Sequence, residues 1–308
     1  MAAEPITAPG IALTHNPRPS THEVEAIDET GARVLTRIAG EHPLTLYLDK
    51  RELVTLMTLG GAPEYLALGY LRNQRLVADW RDIAAVQVDW DTASVVVTTR
   101  RLHTTGRSIW EDDPDDSPDG HDAARLSAKL ARRTVTTGCG QGTVFGDLMA
   151  ELDEIVLPDT ARLTEPVLAA VLESIRHHET IYKQAGAVHG CALAANAGPQ
   201  RGEILLFVED VGRHNAVDAI AGWMWINDIS GADKIFYTTG RLTSEMVIKC
   251  AQMGVPFLVS RSGLTAMGHR IAGQLGITMF GRCRGRHHLL FTGEHRFIRQ
   301  PGGGSALA

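Results

Sequence analysis

Cys139 stands among three glycines in the stretch Thr134-Val-Thr-Thr-Gly-Cys-Gly-Gln-Gly-Thr-Val-Phe145, after a β-branched run and ahead of a helix-like segment. That pattern suits nucleophilic sulfur chemistry. Gly138, Gly140 and Gly142 let the backbone approach a ligand or partner closely and set nothing bulky beside the thiol. Cysteine reacts as thiolate, a form favoured beside cations or a helix N-terminus, and the run Val144 to Leu152 offers such a terminus. A small buried residue in a tight turn would carry the same local pattern, since free cysteine is among the most buried residue types.

A second concentration of chemistry lies later in the chain. Arg213, Arg241, Arg261, Arg282, Arg284 and Arg286 each follow a predicted strand. In open α/β sheets ligands bind at the carboxyl ends of strands, where helix N-termini attract anions. The guanidinium fork matches phosphate oxygens two at a time. A phosphorylated ligand is therefore expected, and a nucleotide or pterin-nucleotide fits. His189, Asp210, His214 and Asn215 add hydrogen-bonding groups for a heterocycle or for orienting a thiol. Asp210-Val-Gly-Arg-His-Asn215 gathers acid, glycine, cation, imidazole and amide at one helix start, where Asp210 or Asn215 would serve equally as a plain cap. Cys191 and Cys250 read as core, and Cys283, alternating with Arg282 and Arg284, faces away from them.

These groups need a frame. A chain of 308 residues with 44% hydrophobic content can fill two cores. Residues 1–20, with Pro5, Pro9, Pro17 and Pro19, are expected as a mobile tail. Residues 21–110 form a small α+β domain. Its parts are a hairpin of Leu44–Leu48 with Leu53–Met57, a helix over Ala62–Leu71, and strands Ala84–Val88 and Ser94–Thr98. Over 111–133 an acidic linker, Glu111 to Gly120, leads into a short basic helix, Ala124 to Arg133.

Residues 134–300 then hold the cysteine loop and an α/β domain. A helix over Val167–Tyr182 precedes an antiparallel hairpin of Ala187–Leu193 with Glu203–Val208. Short apolar strands alternate with helices from there: Ile204–Val208 then Ala216–Trp225, Ile235–Gly240 then Glu245–Met253, Val255–Val259 then Leu264–Leu275, and last Ile277–Phe280. The alternation implies parallel neighbours with right-handed crossovers. Residues 301–308 are a glycine-rich flexible tail.

Composition removes several classes. A net charge of −6 gives no support for wrapping nucleic acid. No apolar run suits a signal peptide or a membrane span. Four widely spaced cysteines fit free thiols in a reducing compartment, so a cytoplasmic protein is expected. A dinucleotide fingerprint fails at Thr143, where the third glycine belongs. The H-x-E and P-C-x-x-C ligands of zinc deaminases are missing, and no permanently bound metal is expected.

Across residues 40 to 290 the chain resembles the formate dehydrogenase accessory sulfurtransferases of the FdhD type. The resemblance rests on Pro43-Leu-Thr-Leu-Tyr-Leu48, Arg51-Glu-Leu-Val-Thr-Leu-Met57, Leu66-Ala-Leu-Gly-Tyr70, the cysteine loop and Ala187-Val-His189. It rests above all on Glu209-Asp-Val-Gly-Arg-His-Asn-Ala-Val-Asp218, Thr239-Gly-Arg-Leu-Thr-Ser-Glu-Met-Val247, Ser260-Arg-Ser262, Gly276-Ile-Thr278 and Arg284-Gly285. The resemblance implies a persulfide carrier. It would take sulfur from a cysteine desulfurase and pass it to the molybdenum cofactor, bis-molybdopterin guanine dinucleotide, destined for formate dehydrogenase.

On that resemblance Cys139 matches the persulfide cysteine, and Arg282, Cys283, Arg284, Gly285, Arg286 and His287 match the cofactor-contacting segment. A homodimer and a cytidine-deaminase-like three-layer C-terminal domain without zinc are implied, beside the smaller α+β N-terminal domain. Two departures stand out. Gly142 replaces a second cysteine, which removes a resolving thiol, and Arg282 stands where an aromatic is usual. The alternatives are a noncatalytic chaperone that holds the molybdenum cofactor and a nucleotide-binding deaminase-like hydrolase.

Overall fold

The computed structural model describes residues 10–111, 155–178 and 180–300, together with the backbone of Thr134–Val135 and Gly142–Thr143. Cys139, the basic segment Ala124–Arg133, the helix expected over Val144–Leu152, residues 1–9 of the N-terminal tail and the tail 301–308 lie outside the described residues. The chain divides into two compact units, one of residues 1–150, 181–188 and 209–229, the other of 151–180, 189–208 and 230–308.

In chain order the elements up to residue 150 are β1 (Ala12–Leu13), β2 (Thr21–Ile27), β3 (Arg33–Ala39), β4 (His42–Leu48), β5 (Arg51–Thr58), α1 (Pro63–Asn73), β6 (Ile83–Asp89), β7 (Ser94–Thr99), α2 (Arg100–Thr105), β8 (Thr134–Val135) and β9 (Gly142–Thr143). There follow β10 (Leu163–Thr164), α3 (Glu165–His177), α4 (Ile181–Ala185), β11 (His189–Ala195), β12 (Ile204–Asp210) and α5 (Arg213–Ile226). The last group is β13 (Lys234–Thr238), α6 (Ser244–Gln252), β14 (Phe257–Ser260), α7 (Ala266–Gln274), β15 (Thr278–Arg284), β16 (His287–Thr292) and β17 (Phe297–Ile298).

The first unit is built on a five-stranded sheet of order β1-β6-β7-β4-β5. Alternation in β4 buries Leu44, Leu46 and Leu48 completely, which drives that face of the strand into the core. At the β4–β5 turn Asp49 adopts φ 52°, a left-handed conformation that aspartate tolerates better than most residues. Its buried carboxylate accepts the Thr99 N–H at 2.8 Å and the Ile109 N–H at 3.0 Å, tying the turn to the start of α2 and the segment beyond it. The mobile tail expected through residue 20 needs correction. Ala12 and Leu13 pair in parallel with Ala85 and Val86, and Trp90 Nε1 donates to the Asn16 carbonyl at 2.6 Å. Two paired residues are too few to show periodicity in a sequence.

The linear domain boundary at residue 134 is also corrected, because α4 and α5 belong to the first unit. The cause is a close helix pair. A Cβ on Gly69 of α1 would lie 1.6 Å from the Asp218 carbonyl oxygen, and one on Gly222 of α5 would lie 2.0 Å from that of Tyr65. The two backbones touch where neither helix has a side chain, and Asn73 Nδ2 donates to Asp218 Oδ1 at 2.7 Å in the buried seam.

The second unit carries a six-stranded sheet of order β12-β11-β13-β14-β15-β16. Strands β13, β14 and β15 are parallel, while β11 and β16 run antiparallel to their neighbours β13 and β15. Val167, Leu168 and Val171 of α3 pack on Ala192, Ile235, Tyr237, Val259 and Phe280. Fully burying each large side chain among them contributes roughly 1.5–3 kcal/mol.

Three expectations shift here. The helix expected over Val167–Tyr182 is two helices, since α3 ends where His178 turns extended at ψ 130°. The last strand does not stop at Phe280 but continues to Arg284 and returns as β16. Arg213, His214 and Asn215 lie in the first turn of α5 rather than in the loop before it.

Candidate functional site

The carboxyl ends of β13, β14 and β15 and the start of β11 meet at one edge of the second unit. Because β11 runs against β13, its first residues fall beside the last residues of that strand. Thr239 N–H donates to the Gly190 carbonyl at 2.9 Å, and Gly190 N–H donates to Thr239 Oγ1 at 3.0 Å. The next strands are stitched on in turn. Arg261 N–H donates to the Thr238 carbonyl at 3.0 Å, and Arg282 N–H to the Ser262 carbonyl at 2.8 Å. His189, Arg241, Arg261 and Arg282 are thereby brought to one edge, with the three guanidinium side chains exposed.

Hydroxyl groups not singled out by sequence reasoning hold this edge. Ser260 Oγ donates to the Gly240 carbonyl at 2.6 Å and accepts the Ser262 N–H at 2.9 Å. Thr238 Oγ1 accepts the Gly240 N–H at 3.0 Å. The signal was a threonine or serine as the last residue of β13 and of β14. Helix α6 begins three residues after Arg241, and α7 begins five after Arg261 behind the Thr265 cap, whose hydroxyl accepts the Gly268 N–H at 3.1 Å. Helix N-termini and exposed guanidinium groups on one edge make a region suited to phosphate.

Arg282 sits there with φ 56°, a conformation that costs a residue with a side chain on the order of 1–3 kcal/mol. Arg284, Gly285, Arg286 and His287 form the adjoining β15–β16 turn, with Arg284 paired to His287 and all four exposed.

Cys283 departs from its expected place in the cofactor segment. Its side chain joins the core, 3% exposed, and burial pushes its thiol up to about 12 against the opposing effect of the Ser260 backbone N–H. Only its backbone is available to a ligand. Burial likewise pushes the Tyr237 phenol up to about 12, although the Arg261 guanidinium pulls it the other way. Cys250 is held well above the usual thiol range by burial, and Cys191 donates its S–H to Thr238 Oγ1 at 3.3 Å. None of these three thiols has the exposed, cation-assisted setting that activates sulfur.

Arg213, His214 and Asn215 belong to the first unit and are buried there. Asn215 Nδ2 is committed to the Met57 carbonyl at 2.6 Å and to Asp210 Oδ1 at 2.7 Å. Asp210 also accepts the Thr58 hydroxyl at 2.5 Å and the N–H groups of Leu59 and Gly212, both at 3.2 Å. Gly212, not Asp210 or Asn215, is the N-cap of α5. The Asp210–Asn215 string therefore spends much of its polarity on holding its own helix start.

Around Cys139 the backbone is described only on either side. Thr134 pairs with Thr143 and Val135 with Gly142 in an antiparallel ladder. Among the described residues no group of three or more His, Cys, Asp or Glu is arranged to hold a metal, and no helix is long and apolar enough to cross a membrane.

Comparison with known proteins agrees over almost the whole chain. The sequence pattern of the FdhD/NarQ family matches residues 39–298. A sulfur carrier protein FdhD from Listeria monocytogenes is 27% identical over 270 residues, covering 87% of this chain and 94% of its own. A protein of the same description from Halalkalibacterium halodurans is 25% identical over 288 residues, covering 92% and 97%. A crystal structure from Desulfotalea psychrophila, described as a formate dehydrogenase accessory protein, superposes with a TM-score of 0.66 at 24% identity, covering 91% of this chain and 100% of its own.

Proposed function

The chain belongs to the FdhD/NarQ family, and from that premise we propose that it is a sulfur carrier in formate dehydrogenase maturation. Cys139 is the carrier atom's anchor. Its thiolate attacks the outer sulfur of a persulfide on a cysteine desulfurase; the donor S–S bond breaks, the donor thiolate leaves, and a persulfide forms on Cys139. The outer sulfur would then pass as a neutral atom to reduced molybdenum in bis-molybdopterin guanine dinucleotide, which would supply the two electrons that make it a bound sulfide, with the Cys139 thiolate as leaving group. The cofactor is here the substrate, and formate dehydrogenase its destination.

The observation that carries this reading is that the matched stretch, residues 39–298, contains both Cys139 and the whole arginine-bearing edge of the second unit. Arg241, Arg261 and Arg282, with the turn Arg284–His287, grip the phosphates of the cofactor, and His189 hydrogen-bonds to it from the start of β11. A single-thiol relay follows from Gly142 and from the burial of Cys191, Cys250 and Cys283. The second unit is read as a deaminase-like layer without zinc, supported by its three parallel strands flanked by antiparallel ones. A homodimer follows from the family resemblance, and a cytoplasmic setting from the cysteine usage.

The test is formate dehydrogenase activity in cells whose only copy carries Cys139→Ser, with the protein's abundance measured alongside. Activity should vanish while abundance holds. Full activity at normal abundance would instead favour a chaperone that holds the cofactor without carrying sulfur.

A further inference from the structure

His288 stands opposite an irregularity in the strand that leads to the arginine-bearing turn. Between β15 and β16, Gly281 pairs with Leu289 and Arg284 with His287, so Arg282 and Cys283 together face the single residue His288. Two residues against one make a β-bulge, which bends a strand and re-aims its side chains. Arg282 takes its left-handed φ of 56° at this point, while the Cys283 side chain turns into the core.

The half-buried His288 ring is seated among aromatic neighbours. It meets Phe280 edge to face with centroids 5.5 Å apart and Phe297 at 5.7 Å, and the two phenyl rings meet each other at 5.0 Å. Each of the three rings therefore packs on the other two. The imidazole also hydrogen-bonds to the backbone of Arg286, inside the turn that follows the bulge. One side chain thus joins the core to the turn Arg284–His287, whose own side chains are all exposed.

We propose that His288 is a positioning residue for the phosphate-binding edge: its ring fixes the β15–β16 turn against Phe280 and Phe297 and holds the bulge that aims Arg282. The proposal rests on the reading of that edge as the grip on a phosphorylated ligand. Guanidinium groups set in place beforehand lose less ordering entropy on binding, which is what the seat supplies. The seat also responds to protonation. Burial holds the imidazole below its ordinary value of 6.5; the Arg286 backbone bond and the Glu165 carboxylate at the start of α3 raise it, while His287 beside it and Arg299 beyond β17 lower it. Phe280 and Phe297 bring no charge of their own. A value lower in the seat than outside it means that seating is complete above about 6.5 and is lost as pH falls through the lowered value.

The test titrates guanosine diphosphate calorimetrically into the full chain and into its His288→Phe, His288→Gln and Arg261→Gln variants, at pH 7.5 and pH 5. Phenylalanine keeps a ring in the seat without a donor, and glutamine keeps an N–H donor without the ring. At pH 7.5 His288→Phe should bind about fivefold more weakly at an unchanged melting temperature, the size of one lost hydrogen bond, while His288→Gln stays within about twofold of the parent. At pH 5 the parent and His288→Phe should differ by less than about twofold, since titration of the nucleotide is common to both. Equal affinities of parent and His288→Phe at pH 7.5, a deficit that is the same at both pH values, or one that glutamine fails to relieve would overturn the positioning role, even where Arg261→Gln still weakens binding and so upholds the edge. No binding by the parent chain would overturn the reading of the edge itself, and the role of His288 with it.

Discussion

The carboxylate of Asp210 accepts the side-chain amide of Asn215 at 2.7 Å, joining the end of β12 to the first turn of α5. The same carboxylate holds Thr58 at the end of β5 and Leu59 just after it, so one buried side chain gathers three segments of the first unit.

Asp210→Asn turns at least one acceptor into a donor facing donors. The cost should be about 1–3 kcal/mol, read as a lower urea midpoint at unchanged slope. Burial raises the carboxyl above its ordinary value of 3.8, outweighing the hydrogen bonds that lower it. A raised folded-state value means stability is fully present at low pH and declines as pH climbs from about 3.8 through that folded value. The advantage of wild type over Asp210→Asn should therefore be larger near pH 4 than at pH 7. A flat difference would show that Asp210 does not titrate in this way.

The α1–α5 seam gives a sharper steric forecast. Gly69→Ala and Gly222→Ala each force backbones apart and should destabilise by about 3 kcal/mol or more. Gly273, in α7 with nothing within 4 Å of its Cβ position, is the control. Gly273→Ala should stabilise by about 0.5–1 kcal/mol. Thermal melts showing all three alike would contradict the close approach.

Arg282 separates strain from binding. Arg282→Gly relieves a left-handed backbone and should leave stability equal or about 1 kcal/mol higher. It should weaken binding of guanosine diphosphate, used as a probe of the phosphate-binding edge, about tenfold. Arg261→Gln should do the same without the gain in stability. Unchanged calorimetric affinity in both would remove the strand-end arginines from the site.

Thiol accessibility supplies a further check. With Cys191, Cys250 and Cys283 buried, iodoacetamide should label only Cys139 quickly in the native protein, and all four cysteines in urea. Rapid native labelling of Cys283 would contradict its place in the core.

What the sequence made legible follows from how locally each feature is encoded. Leu44, Leu46 and Leu48 alternate, and the strand is evident; Ile235 to Thr238 and Phe257 to Ser260 are short apolar runs closed by a hydroxyl residue. The strand-end arginines were readable because fold class alone assigns ligands to that edge. The β2–β3 ribbon was not, since Ile27, Leu35 and Ile38 are exposed and trace no buried face. Membership of α5 in the first unit was hidden too, because it depends on Gly69 and Gly222 meeting from distant parts of the chain. His214 and Asn215 looked like ligand groups because side-chain type does not reveal whether polarity is spent inward.

The most direct measurement is mass spectrometry of peptides after incubating the protein with a cysteine desulfurase and cysteine. The peptide carrying Cys139 should gain one sulfur atom that a reducing agent removes. Added sulfur confined to Cys191, Cys250 or Cys283, or to none of the four, would contradict the carrier role assigned to Cys139.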